Sequence, residues 1–175
     1  MKNILMNTDI TKAILDGRKT QFREVIKPID IGNGMTEIRN PEAKYQIGET
    51  IFVKEDFYYE DNSTIYIVDE KLEYVASDYI PFELDEIIPA QEMKQAYSRI
   101  FLKVTNVRVE RLQDMTHDDI LAEGFNVTLF NGIKGQLKKE ARKWWINLWN
   151  KTAPKGYKWE NNPYVFVYEF ERVEK

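Results

Sequence analysis

A chain of 175 residues, 43% hydrophobic and 31% charged, suits one domain with a real core and a soluble surface. It contains no cysteine, which excludes disulfides, thiolate metal sites and cysteine nucleophiles. Its single histidine, His117, argues against a histidine metal cluster or a Ser-His-Asp triad and leaves a carboxylate-held metal open. The net charge of -4 argues against a general nucleic-acid coat, but the charge is uneven: residues 55–92 hold twelve acids and one base, 17–27 four bases and one acid, and 134–158 eight bases and one acid.

Ile4-Leu5-Met6 predicts a first short strand. Thr8 is the expected N-cap of a helix whose Ile10, Ala13 and Ile14 share a face and which stops at Gly17. Thr20 to Ile26 reads as a strand ended by Lys27-Pro28. Residues 29–45, with Gly32, Gly34 and Pro41, read as a loop or irregular hairpin. From Ile51 to Tyr58 the alternation places Ile51, Val53, Glu55 and Phe57 on one face, so that a carboxylate stands in an apolar row. Thr64–Val68 and Leu72–Ala76 predict a hairpin around Asp69-Glu70-Lys71, and the acidic 78–91 an excursion over the surface. In Arg99–Leu112 the alternation changes phase near Thr105-Asn106, the mark of a bulge. Thr116-His117-Asp118-Asp119 opens a second short helix that stops at Gly124. Leu137, Ala141, Trp144, Trp145, Leu148 and Trp149 form a helical stripe, better suited to core packing than to base stacking. Tyr164 to Arg172 is apolar on both faces and reads as a central strand.

These elements give an α+β class: a small, mostly antiparallel curved sheet or barrel with two or three packed helices. Neither a signal peptide nor a run of membrane-span length is present, so a cytoplasmic protein is expected.

Chemistry concentrates at Gly17-Arg18-Lys19-Thr20, where a backbone turn meets a cluster of donors. Arg18 and Arg23 suit a phosphate or a base edge, or else ion pairs with Asp16, Glu24 or Glu55. Glu55 suits an exocyclic amine or a structural pair with Arg18. Ser98 and Arg99 precede a strand and either line the same cleft or mark a strand edge. Lysines held out of water can accept a proton, and a nearby carboxylate such as Glu123 can orient water or protonate a leaving amine. There is no phosphate-cradling glycine loop.

The segments Ala13–Gln21, Tyr45–Glu55, Ser98–Asp114, Ala122-Glu123-Gly124, Trp144–Asn150 and Asn162–Phe166 together resemble, in order, the ASCH family of PUA-like β-barrels, and most of all uncharacterised ASCH-like proteins of phages and prophages. The resemblance implies a single PUA-like barrel domain over 1–175, with insertions at about 59–97 and 125–160. It also implies a cleft for RNA or a nucleoside, in a bacterial or phage-infected cell. Some relatives remove the acetyl group from acetylcytidine, using a lysine, a threonine three residues later and a glutamate. On this sequence the lysine is Lys19 and the glutamate Glu123, but Phe22 stands at the threonine position, with Thr20 as the nearest hydroxyl. The expected site is therefore Lys19, Glu123 and Thr20 for chemistry and Arg18, Arg23, Glu55, Ser98 and Arg99 for binding, with no cofactor and no metal. The alternatives are an amidohydrolase or ribonuclease, and an acidic protein that docks partners, or mimics nucleic acid, through residues 55–92.

Overall fold

The computed structural model describes residues 1–33, 35–38, 41–60, 63–66, 72–74, 87–129 and 136–174. The first strand, β1 (Asn3–Leu5), leads into helix α1 (Thr8–Leu15) and then β2 (Gln21–Val25). A small hairpin, β3 (Ile29–Gly32) and β4 (Met35–Glu37), precedes β5 (Thr50–Lys54). A second sheet holds β6 (Phe57–Glu60), β7 (Ser63–Tyr66) and β8 (Leu72–Tyr74). The rest is β9 (Phe101–Arg111), α2 (His117–Ala122), α3 (Leu137–Thr152) and β10 (Tyr164–Val173). The connection between β7 and β8, and most of the acidic excursion, lie outside the described residues.

The main sheet has the order β1-β5-β9-β10-β2, with β1 parallel to β5 and every other pair antiparallel. The expected α+β class and mostly antiparallel sheet are present, but the barrel is not closed: among the described residues β1 and β2 are edge strands that do not pair with each other. The short helix α1 links these two edges, and its Ile14 joins the core between them.

Strand β10 is interior, as its two apolar faces predict. Phe166, Tyr168 and Phe170 enter a core shared with Phe22, Tyr45, Ile51 and Leu102, while Val165 and Val167 face a second core with Ile120, Ala141, Trp145 and Trp149. The phase change in β9 is a bulge: Asn106 pairs with Glu169 and Val104 with Phe170, so Thr105 is skipped. The cap of α1 differs from expectation. Asn7, in extended conformation, accepts the Ile10 amide on its side chain, and Thr8 is already helical.

Candidate functional site

Two helix ends meet to make the site. Helix α1 ends in a Schellman turn: Gly17, at φ +70°, donates its amide to Ile14 and Arg18 donates to Ala13, which puts Arg18 and Lys19 directly beyond the helix. Helix α2 opens on a capping box between Thr116 and Asp119 and ends at Glu123, with Gly124 at φ +107°. The two ends are bridged by backbone pairing of Lys19 with Glu123. Arg18 Nη1 donates to the Gly124 carbonyl at 2.5 Å and Lys19 Nζ to the Glu123 carbonyl at 3.2 Å. Carbonyls at a helix C-terminus lack intrahelical donors and carry the negative end of the helix dipole, so cations satisfy both needs.

The side chains form a buried triad. Lys19 Nζ lies 2.7 Å from Glu123 Oε2, and Arg23 Nη1 lies 2.7 Å from Glu123 Oε1. Lys19 is 4% and Glu123 1% exposed. Arg23 also donates to Glu110 Oε1, at 3.1 Å from Nε and 2.8 Å from Nη2. Burial alone would lower the Arg23 guanidinium, but Glu123 and Glu110 outweigh it and hold it above its ordinary value.

Sheet register explains which charges assemble. Directly opposed residues share a face. Arg23, Val167 and Arg108 stand in one cross-strand row, flanked on one side by the row of Gln21, Glu169 and Asn106 and on the other by that of Val25, Val165 and Glu110. This face looks toward α2. Arg108 Nη2 binds Asp119 Oδ1 at 2.7 Å, Arg108 Nη1 binds Glu169, and Gln21 Nε2 donates to the Asp119 carbonyl at 2.8 Å. Desolvation would raise the Asp119 carboxyl, but its hydrogen bonds from Thr116 and the nearby Arg23 outweigh that and lower it to about 2. Among the described residues no group of three or more His, Cys, Asp or Glu side chains is placed to hold a metal.

A cavity of about 370 Å³ lies over the triad. Its polar floor is Lys19, Arg23 and Glu123, and its walls include Ile4, Ile10, Phe22, Trp145, Leu148 and Trp149. The helical stripe of tryptophans therefore packs the core and also forms a wall. Trp145 is 4% exposed, its ring lies 5.8 Å from the Arg23 guanidinium, and its Nε1–H finds no acceptor among the described residues.

The expected site residues do not all converge here. Lys19, Arg23 and Glu123 line the cavity, and Arg18 lies beside it on the same turn. Thr20 is exposed and opens into a different hollow, with Gln21, Asp119 and Phe170. Its amide and carbonyl are bonded to Ala122 and Phe170, which fixes it on that side. Phe22 faces the larger core, stacked 4.8 Å from Tyr168, so no hydroxyl stands at that position. Glu55 pairs in bidentate fashion with Arg99, at 3.0 Å for both contacts, rather than with Arg18, whose partner is Asp16 at 2.9 Å. Ser98 Oγ donates to the Val53 carbonyl at 2.9 Å. None of Glu55, Ser98 and Arg99 is a wall of the cavity.

Sequence reasoning did not place Glu110, Asp119 or Arg108 at the site, and it weighed Trp145 for base stacking but assigned it to the core. The signal for Arg108 and Glu110 was their alternation with Val107 and Val109 in a strand of the sheet interior. Charges repeated at every second position of such a strand need partners on the facing element.

No family profile matches the chain, and no curated protein matches it in sequence. Among solved structures it is similar in chain trace to an ASCH domain from Lactobacillus crispatus JV V101, at 12% identity and a TM-score of 0.42, covering 95% of this chain and 71% of that one. It is also similar to a DUF984 protein from Enterococcus faecalis V583, at 12% identity and a TM-score of 0.47, covering 99% of this chain and 81% of that one. These are likenesses of fold alone.

Proposed function

We propose that the chain binds a nucleoside or a short piece of RNA, with a base seated in the cavity over Lys19, Glu123 and Arg23. The observation that carries this reading is a buried triad of charges forming the floor of a cavity whose walls are largely apolar and aromatic. Its volume of about 370 Å³ falls in the range of small-molecule sites. A nucleobase has apolar faces and polar edges. Trp145, Trp149 and Phe22 offer contact to the faces, and the triad offers donors and an acceptor to the edges. The ordered resemblance to ASCH proteins supports the same class of ligand.

Two tryptophans on the wall make their own fluorescence a probe. Titration with the four common nucleosides and with short RNAs is expected to give saturable quenching that a Lys19→Met variant loses. Absence of saturable change with every member of that panel would sink the reading.

A second reading, hydrolysis of an acylated nucleoside, is favoured by the 2.7 Å contact of Lys19 with Glu123. Lys19, in its neutral form, would take a proton from water as the water oxygen bonds to the acyl carbon, and would return that proton to the amine nitrogen as the C–N bond breaks. Glu123 already accepts from two cations, which suits it to orienting water rather than donating. The aromatic Phe22 weighs against this reading. Acetylcytidine incubated with wild type and with Lys19→Met, then resolved by chromatography, decides it: equal turnover in both excludes Lys19 as the base. Labelled RNA in a parallel gel assay reports any ribonuclease.

A further inference from the structure

Two hollows meet where α1 approaches α3, and their linings differ in character. The inner one is the aromatic cavity over the triad. The outer one, of about 400 Å³, shares Asn7, Ile10, Glu123, Leu148 and Thr152 with it, so the two are compartments of one groove. The outer compartment adds three cations: Lys12 from α1, Arg18 from the Schellman turn and Lys151 from the last turn of α3.

The local charge balance favours an anion. The carboxylates in this compartment are Asp9 and Glu123, and both oxygens of Glu123 are already taken by Lys19 and Arg23. Lys12 and Lys151 are exposed and form no ion pair with any described residue. Arg18 is held by Asp16 at 2.9 Å and by the Gly124 carbonyl at 2.5 Å, so its guanidinium is positioned in advance. A lysine in the last turn of a helix offsets the helix dipole, and that alone accounts for one such lysine per helix. It does not account for lysines from two helices and an arginine from a turn converging on one hollow beside an aromatic cavity.

We infer that the outer hollow is a phosphate subsite, so that the ligand is a phosphate ester of a nucleoside, either a mononucleotide or one residue of an RNA strand, rather than a free nucleoside. The inference rests on the reading that the inner cavity takes the base. With the ring inside, the sugar lies over the shared walls and the phosphate comes among Lys12, Arg18 and Lys151. Charge-assisted contacts of this kind are screened by salt and are worth about a tenfold gain in affinity or more.

The test compares wild type with a Lys12→Gln/Lys151→Gln double variant, whose substitutions sit on exposed positions and leave the core intact. Both are titrated by tryptophan fluorescence with the four nucleosides, their 5′- and 3′-monophosphates, and tetranucleotides without terminal phosphates. In wild type at low salt, a phosphate ester is expected to bind about tenfold tighter than the matching nucleoside. That gain is expected to shrink at high salt and to vanish in the double variant. A gain confined to monophosphates assigns a mononucleotide, and a gain with the tetranucleotides assigns a strand. If wild type binds nucleoside and ester equally, or if the double variant keeps the gain, the phosphate subsite is overturned while the base site stands. If no probe binds wild type at all, the base site falls and the subsite with it.

Discussion

Glu123 is shared by two buried cations, and this sets the energetics of the site. Taking ions out of water costs several kcal/mol each, and the cost is recovered only where geometry and pairing are complete. Removing the common carboxylate leaves Lys19 without an ionic partner and takes from Arg23 one of its carboxylate partners, Glu110 remaining, whereas deleting the lysine leaves an intact Arg23–Glu123 pair. Glu123→Gln is therefore expected to destabilise the fold by about 3–5 kcal/mol, and Lys19→Met, which keeps the apolar stem, by about half of that or less. Urea unfolding midpoints measure both, and equal losses would show that Glu123 does not organise the site. Phe22 belongs to the same scale. Its ring stacks on Tyr168 and touches Tyr45 and Phe170, with centroids 5.8 and 5.9 Å away. Phe22→Thr is expected to cost about 3 kcal/mol in the same measurement, because it exchanges core packing for a cavity and an unpaired hydroxyl.

At the level of elements, the site depends on two helix ends approaching closely. A Cβ at Gly124 would lie 3.0 Å from the Ala13 Cβ and 3.3 Å from the Lys19 Cβ, at a backbone φ of +107° that side chains disfavour. Gly124→Ala is thus expected to cost about 2–4 kcal/mol from strain and overpacking together. Because it pushes the α2 end from the α1 turn, it should also weaken quenching by any bound nucleoside. Thermal melts and the fluorescence titration check the two effects separately, and a variant as stable as wild type would refute the close approach. The glycine stops, the capping box of α2 and the bulge in β9 were readable from the chain because each is local chemistry spanning a few residues. The cap of α1 was misplaced by one residue, since Asn7 and Thr8 are both good caps and the choice rests on which of them takes the extended backbone conformation entering the helix.

At the scale of the whole molecule, β2, β9 and β10 are tied to α2 through charges as well as through the apolar core. Asp119 is held at about 2, below the ordinary carboxylate value, by Thr116 and Arg23 against the opposing effect of its burial. A carboxyl lower in the folded state than in the unfolded one stabilises the fold fully above the unfolded value. That stability is lost as the pH falls through the folded value. Wild type is accordingly expected to lose stability as pH falls from about 4 to 2, and Asp119→Asn to be less stable at neutral pH with a flatter acid limb. Urea midpoints across that range measure it, and parallel limbs for the two proteins would exclude Asp119 as a source of the acid sensitivity. No helix among the described residues is long and apolar enough to cross a membrane.

Element types, the two-faced central strand, the one-sided tryptophan helix and the basic turn beyond α1 were all present in the chain as local periodicities and breakers. Those signals need no knowledge of distant neighbours. Folding settled the pairings. Lys19 meets a carboxylate 104 residues away, Glu55 closes on Arg99 instead of Arg18, and Thr20 lines a different hollow from the cavity. Alternation along β2 separates Phe22 from Arg23 but cannot say which of them faces α3, because that depends on which edge of the sheet the strand occupies and which helix covers it. Charge pairing follows the same logic. A buried ion takes the partner that the packed backbone brings within reach, and the cost of leaving it without one makes that choice the deciding feature of the site.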